Sequence, residues 1–221
     1  MLLLGRLADF AARDWPRKRR VDQARKTEKG SSPPFPGLVP TNDSVRPSMS
    51  FGVATEKPTR WTQADDGGQK IDPSASMDEA VKEWESIRHA FEAFEKYLGP
   101  EFRPLSAEYA DRRDRPFGGV LQYRTFSIAG IWMNFYMGMI HLYRSHPTMS
   151  AAAIAAAGQS AHKTAEYANK VGRVAIGLSG DCSHVTEIST LMGAAFIESA
   201  FCMFVAAVQV SQVWWLRYDI F

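Results

Sequence analysis

Cysteine is almost missing from this sequence: Cys182 and Cys202 are the only two in 221 residues. Two thiols do not build the disulfide framework of a small secreted domain, and they exclude any multi-cysteine zinc module. A reducing compartment suits that usage. The opening Met1-Leu2-Leu3-Leu4-Gly5-Arg6 is not expected to act as a signal peptide, because its apolar run is too short and Arg6 interrupts it. Without a route to secretion, the sequon Asn42-Asp43-Ser44 carries little weight. Catalytic punctuation is lacking as well. Gly177-Leu178-Ser179-Gly180 is not the G-x-S-x-G elbow, and Gly118-Gly119 is not a phosphate loop. Neither an internal repeat nor a multi-strand pattern is present. The expectation is a protein that is not an enzyme and holds no cofactor.

What is present is unevenly spread. The net charge of +2 and the 45% hydrophobic content look ordinary for a globular chain. Residues 1–30, however, are crowded with arginine and lysine, whereas charge becomes sparse after Gly118 and aromatics and methionines become frequent. Leu3, Leu7, Phe10 and Ala11 recur at helical spacing, with Trp15-Pro16 expected to end that helix. Arg17, Lys18, Arg19 and Arg20 follow, open to two readings: a nuclear-import or nucleic-acid patch, or a solvated basic segment. A partly disordered basic helix or arm is expected over 1–27. A flexible linker is expected over 28–75, where Ser31-Ser32-Pro33-Pro34-Phe35-Pro36-Gly37 and Asp65-Asp66-Gly67-Gly68 supply turn residues and few apolar ones.

The clearest helix spans Ser76 to Leu98. Ser76 and Glu79 match a capping box, and Met77, Val81, Trp84, Ile87, Phe91, Phe94 and Leu98 make one apolar stripe before Gly99-Pro100. An apolar helix follows over about 125–143 and a small-residue helix after Thr148-Met149-Ser150. The last, over about 186–216, is apolar nearly all round. Domain 76–221 therefore reads as an irregular all-α bundle. An alternative is a small membrane protein spanning at 125–143 and 186–216. Asn134, Glu198, Gln209 and Gln212 weigh against it, since a carboxylate at the bilayer centre costs about 3 kcal/mol on insertion scales. The amphipathic helix between these segments, and the need of helix 76–98 for an apolar partner, favour a protein core.

The candidate core anchors are Trp84, Trp132, Phe135, Tyr136 and Met139. Arg144-Ser145-His146-Pro147 reads as a helix stop, with Arg144 and His146 at the negative end of the dipole and Pro147 barring continuation. Cys182-Ser183-His184 offers two zinc-binding residue types but no second pair at usable spacing, so no metal is expected. His141 and His146 lie on different faces: one is a core-edge histidine, the other a turn residue. Glu198 is expected to be paired or hydrogen-bonded within the bundle, and His162 with Glu166 to form a surface pair.

A resemblance adds to this. Phe117-Gly118, Leu121-Gln122-Tyr123-Arg124-Thr125, Ile131-Trp132, Tyr143 through Met149, Thr164 through Asn169, Gly172-Arg173, Ala175-Ile176-Gly177, Gly193-Ala194-Ala195 and Ile197-Glu198-Ser199 carry it. Leu4 through Phe10 with Arg13-Asp14, and Phe35-Pro36-Gly37, extend it. Together they resemble the regulatory (middle homology) region of fungal-specific transcription factors of the binuclear zinc-cluster class. The resemblance implies an all-α regulatory domain in a nuclear protein, acting through other regulatory proteins or a homo- or heterodimer partner. Zinc belongs only to full-length relatives, whose six cysteine ligands are lacking here. The basic cluster implies at most weak, non-specific, salt-sensitive nucleic-acid binding. On this reading the chain starts beyond the zinc cluster, and domain 76–221 is expected to be truncated at its C-terminus.

Overall fold

The structure is a computed structural model that describes residues 2–29, 73–106, 119–178 and 187–218. The described residues form helices α1 (Leu2–Lys29), α2 (Pro73–Tyr97), α3 (Phe126–Arg144), α4 (Ala153–Gly177) and α5 (Thr190–Tyr218), with a 3₁₀ turn at Pro100–Phe102. Residues 30–72 of the expected linker, Phe117-Gly118 and Cys182-Ser183-His184 lie outside the described residues; the linker's expected ends are corrected, since 28–29 belong to α1 and 73–75 to α2. The fold is all-α, with no strand among the described residues.

Helix α3 is the axis because its sequence leaves it no wet face. Its buried residues, Ala129, Trp132, Met133, Phe135 through Ile140 and Leu142, point in every direction around the helix, so neighbours must cover it on both sides. On one side lies the antiparallel pair α1–α2; on the other lie α4 and α5. Phe91 and Phe94 of α2 meet Phe135 at centroid distances of 5.9 Å each. Trp84 packs near Tyr143 and donates its indole N–H to the Leu142 carbonyl at 2.8 Å. On the α4 side, Tyr167 stacks on Tyr143 at 6.1 Å and lies 6.4 Å from Tyr136. Trp132 stacks on Tyr136 at 5.4 Å and sends its N–H to the Phe102 carbonyl at 2.6 Å. The five anticipated anchors Trp84, Trp132, Phe135, Tyr136 and Met139 are all buried.

The helix ends follow local chemistry. Thr125 caps α3 by accepting the Ile128 N–H at 3.2 Å. At the other end Ser145 is the C-cap, its N–H reaching the His141 carbonyl at 2.8 Å. Helix α2 starts at Pro73, one turn before the expected cap. Ser76 therefore stands inside the first turn, and the capping-box reading is corrected; proline at a helix start, with its φ preset and no N–H to satisfy, explains the earlier start. Beside α4, Leu121 donates its N–H to the Arg173 carbonyl at 3.1 Å, and Leu105 donates to Gln122 at 2.8 Å. That strap runs so close to the end of α4 that a Cβ on Gly177 would sit 2.3 Å from the Leu121 carbonyl oxygen.

The largest departure from expectation is α1. It runs through Pro16 as one helix of 28 residues, where Trp15-Pro16 was expected to end it. Proline removes one helical N–H and costs about 3 kcal/mol in a helix interior. Two things offset that here. Trp15 and Pro16 face solvent, so the freed backbone lies on the wet side. Leu7, Phe10, Asp14 and Lys18, at steps of three and four, are all buried and hold the helix down on either side of the proline. The described part of the basic N-terminal segment is thus a docked helix and not a disordered arm.

Candidate interaction surface on the last helix

Helix α5 is apolar almost all round, so which face it buries depends on its partners. The inner face is Ala195, Ser199, Cys202, Val205, Ala206 and Gln209. Gln209 fixes it. The side chain is 0% exposed, and its Oε1 accepts from Arg144 Nε at 3.0 Å and from Nη2 at 2.8 Å. Its Nε2 donates to the Ala157 carbonyl at 2.9 Å. Arg144 Nη2 also reaches the Val205 carbonyl at 3.3 Å. A single amide thus ties α3, α4 and α5 together, with acceptor and donor ends both used. Desolvation holds the Arg144 guanidinium below its usual ionisation range. Burial likewise pushes the Cys202 thiol up to about 11, which keeps it an unreactive packing group.

No described residue covers the opposite face of α5. Ile197, Phe201 and Phe204 on it are 78%, 59% and 65% exposed; Leu191, in the register of the inner face but in the first turn, is 65% exposed. Taking roughly 200 Å² per large side chain, the three on that face leave on the order of 400 Å² of apolar surface in water, within the range of the largest patch on a typical monomer. Thr190–Val210, with a mean hydropathy of 2.0, is the one helix among the described residues long and apolar enough to cross a membrane, and 28% of it is buried. The 125–143 segment, by contrast, falls in α3 at the centre of the bundle. Glu198 is exposed beside a narrow crevice lined by Phe126, Gly130, Met133 and Asn134. The expectation that it would be paired or hydrogen-bonded within the bundle is corrected: it stays exposed at the edge of the α3–α5 seam, its carboxylate 3.8 Å from where a Cβ on Gly130 would stand.

The basic cluster is divided by α1. Arg17 forms a two-point ion pair with Asp14, at 2.6 and 3.0 Å, and donates to the Pro147 carbonyl at 2.8 Å. Lys18, 8% exposed, lies 3.7 Å from Asp14 and donates to the Ser145 carbonyl at 2.9 Å. Burial lowers its pKa, with Asp14 acting against that shift. Arg19 and Arg20 remain exposed, Arg19 resting on Trp15 at 4.7 Å from the ring centre. The helix-stop segment is therefore also the seat of α1. Asp22 completes it by accepting from the Ser150 hydroxyl at 2.7 Å and the Ala151 N–H at 2.8 Å.

No protein family, characterised protein or solved structure matches this chain.

The remaining candidates fall into place around this frame. His146 stands edge-on to Trp84 at 4.5 Å, with its Nδ1 2.7 Å from the Thr148 hydroxyl. Its pKa is lowered by burial first, then by Lys163 and Lys18; that of His141 is lowered by burial and then by Arg144. Glu166 takes Lys170 at 2.8 Å, and that bond lowers its pKa. His162 is thus not its ion-pair partner: Lys170, also four residues away, carries the full charge. A groove of about 230 Å³ between α1 and α2 is lined by Arg13, Arg17, Arg20, Glu79 and Glu83, but Arg13 is spent on Glu83 at 2.5 Å. Among the described residues no group of three or more His, Cys, Asp or Glu side chains is placed to hold a metal ion. Sequence reasoning missed the Arg144–Gln209 contact, although a glutamine on an otherwise apolar helix was its signal.

Proposed function

We propose that this chain is the helical regulatory part of a fungal zinc-cluster transcription factor, that it acts in the nucleus through protein contacts, and that the outer face of α5 makes those contacts. The observation that carries the reading is the apolar stripe on a helix whose other face is fixed by Gln209. Such a stripe is a surface suited to association. The residues that resemble that class support it further. They sit at the joints of the bundle: Leu7 and Phe10 under α1, Arg144 through Met149 at the seat of α1, and Gly177 against the strap. The exposed pair Arg19–Arg20 is the part of the basic cluster left for an import receptor.

The test fuses the chain to a heterologous DNA-binding domain and to a fluorescent protein in a fungal host. Nuclear accumulation and a change in reporter transcription that Phe201→Asp abolishes are the expected results. Diffuse cytoplasmic signal with no reporter response would sink the reading. A second reading, a membrane-associated α5, is favoured by the hydropathy of Thr190–Val210. Carbonate extraction separates the two, because a membrane helix stays with the pellet.

A further inference from the structure

We infer that the half of α1 beyond Pro16 is a releasable latch, and that its release presents Arg17-Lys18-Arg19-Arg20 to a carboxylate-lined groove on a partner protein. On the nuclear reading above, on which this rests, that partner is the import receptor. The helix is held down by two unlike chemistries that meet at Pro16. Before it, Leu7 and Phe10 belong to the apolar core, with Leu3 and Leu4 packed against that core. Beyond it, no described residue of α1 does. There the hold is polar. Arg17 donates to the Pro147 carbonyl at 2.8 Å and Lys18 to the Ser145 carbonyl at 2.9 Å. Asp22 accepts from the Ser150 hydroxyl and the Ala151 N–H at 2.7 and 2.8 Å. Water replaces such bonds when they open, so their net contribution is modest; buried apolar surface has no substitute of that kind. Proline at the junction removes the N–H that would tie one half of the helix to the other. The second half therefore opens at lower cost than the first.

The latch also divides the basic cluster. Successive side chains on a helix are spread around it at 3.6 residues per turn, so no one surface meets all four while the helix stands. Arg19 and Arg20 face water, whereas Arg17 and Lys18 face the seat. The seat itself shows what the cluster takes: the Asp14 carboxylate and two backbone carbonyl oxygens. A groove offering carboxylates and carbonyls reproduces those partners as charge-assisted bonds, and that chemistry is a protein's. Unwound beyond Pro16, the four side chains reach such a groove together.

The test is the binding of a fluorescent poly-glutamate peptide to the full chain, read by anisotropy. A partner that takes only the released form binds with an apparent affinity scaled by the released fraction. Asp22→Ala, which cuts two bonds of the latch, should bind on the order of tenfold tighter than the parent. Asp9→Ala removes the same charge from an exposed position of the first half and should stay within about twofold. Pro16→Ala restores the missing N–H at an exposed position, steadies the helix, and should bind on the order of tenfold more weakly. Arg17→Gln within the Asp22→Ala chain removes the gain, because it is the unmasked charge that binds. Equal affinities for the parent, Asp22→Ala and Pro16→Ala overturn the latch. Capture of Asp22→Ala by a mixed-sequence single-stranded oligonucleotide and not by poly-glutamate overturns the acidic protein as partner. The nuclear reading fails separately: fluorescent fusions of all these chains excluded from the nucleus remove it, while the order of poly-glutamate affinities still decides the latch.

Discussion

Replacing Gln209 by leucine tests how the bundle fixes the rotation of α5. The side chain is wholly buried, accepts two N–H groups of one guanidinium and donates to Ala157. Leucine keeps the volume and removes every one of those bonds. Hydrogen bonds to a charged group contribute about 1.5–3 kcal/mol each, and a stranded buried partner costs a similar amount. Arg144 retains the Val205 carbonyl, so its loss is partial and Gln209→Leu should cost about 3 kcal/mol. For a chain of this length that is a drop of roughly 10 °C in Tm. Arg144→Met alone leaves the glutamine oxygen unsatisfied and should cost about 2 kcal/mol. Changing both removes donor and acceptor together, so the double variant should lie at least 1 kcal/mol, roughly, above the sum of the singles. Urea unfolding followed by circular dichroism at 222 nm, the helix band, reads all four corners. Additive losses, or a Gln209→Leu variant as stable as the parent, would refute the triad.

Four further outcomes follow from the same packing. Trp132→Ala should cost about 3–5 kcal/mol, seen as a lowered Tm and lost near-ultraviolet dichroism; full solubility with unchanged melting counts against the buried core. Gly177→Ala drives a Cβ into the Leu121 carbonyl and should destabilise by about 2 kcal/mol or more, whereas Gly5→Ala and Gly193→Ala meet nothing within 4 Å and should stabilise their helices by up to about 1 kcal/mol. Differential scanning calorimetry on the three variants checks the contrast. His141 and His146 both have pKa values lowered in the folded state from 6.5, so the unfolded chain binds more protons there. Their contribution is full above that value and is lost as pH falls below it; melting at about pH 7.5 and about pH 5.5, either side of the free histidine pKa, should show a drop that His141→Gln and His146→Gln reduce. Asp14→Ala leaves Arg17 and the buried Lys18 without their shared carboxylate, so trypsin should cut α1 faster at Arg17 and Lys18 while the α3–α5 core resists.

The fold class and α2 to α5 were legible because each follows from patterns that sequence displays: an apolar stripe, a Pro147 stop, a Gly99-Pro100 end. Helix α1 was misjudged at Pro16 because the local cost of proline is visible in sequence and the burial of Phe10, Asp14 and Lys18 that offsets it is not. Glu166 had two basic residues within one turn, and only the fold shows that it takes Lys170. Helix α5 was the hardest. A helix apolar on all sides gives no periodicity from which to choose an inner face, so Gln209 seemed a penalty for membrane insertion when it is the bond that fixes the rotation. Its partner, Arg144, lies 65 residues away, beyond the reach of any local rule.

The central claim is that α3 is the enclosed axis of a bundle that folds in water, with α5 latched inward by Gln209 and open outward. Hydrogen–deuterium exchange of the full chain in lipid-free buffer tests it most directly. Amides of Trp132 to Leu142 should exchange only through global unfolding, and the buried stretch of α1 should be protected with them. Rapid exchange along α3 in buffer that slows only when vesicles are added would contradict the account.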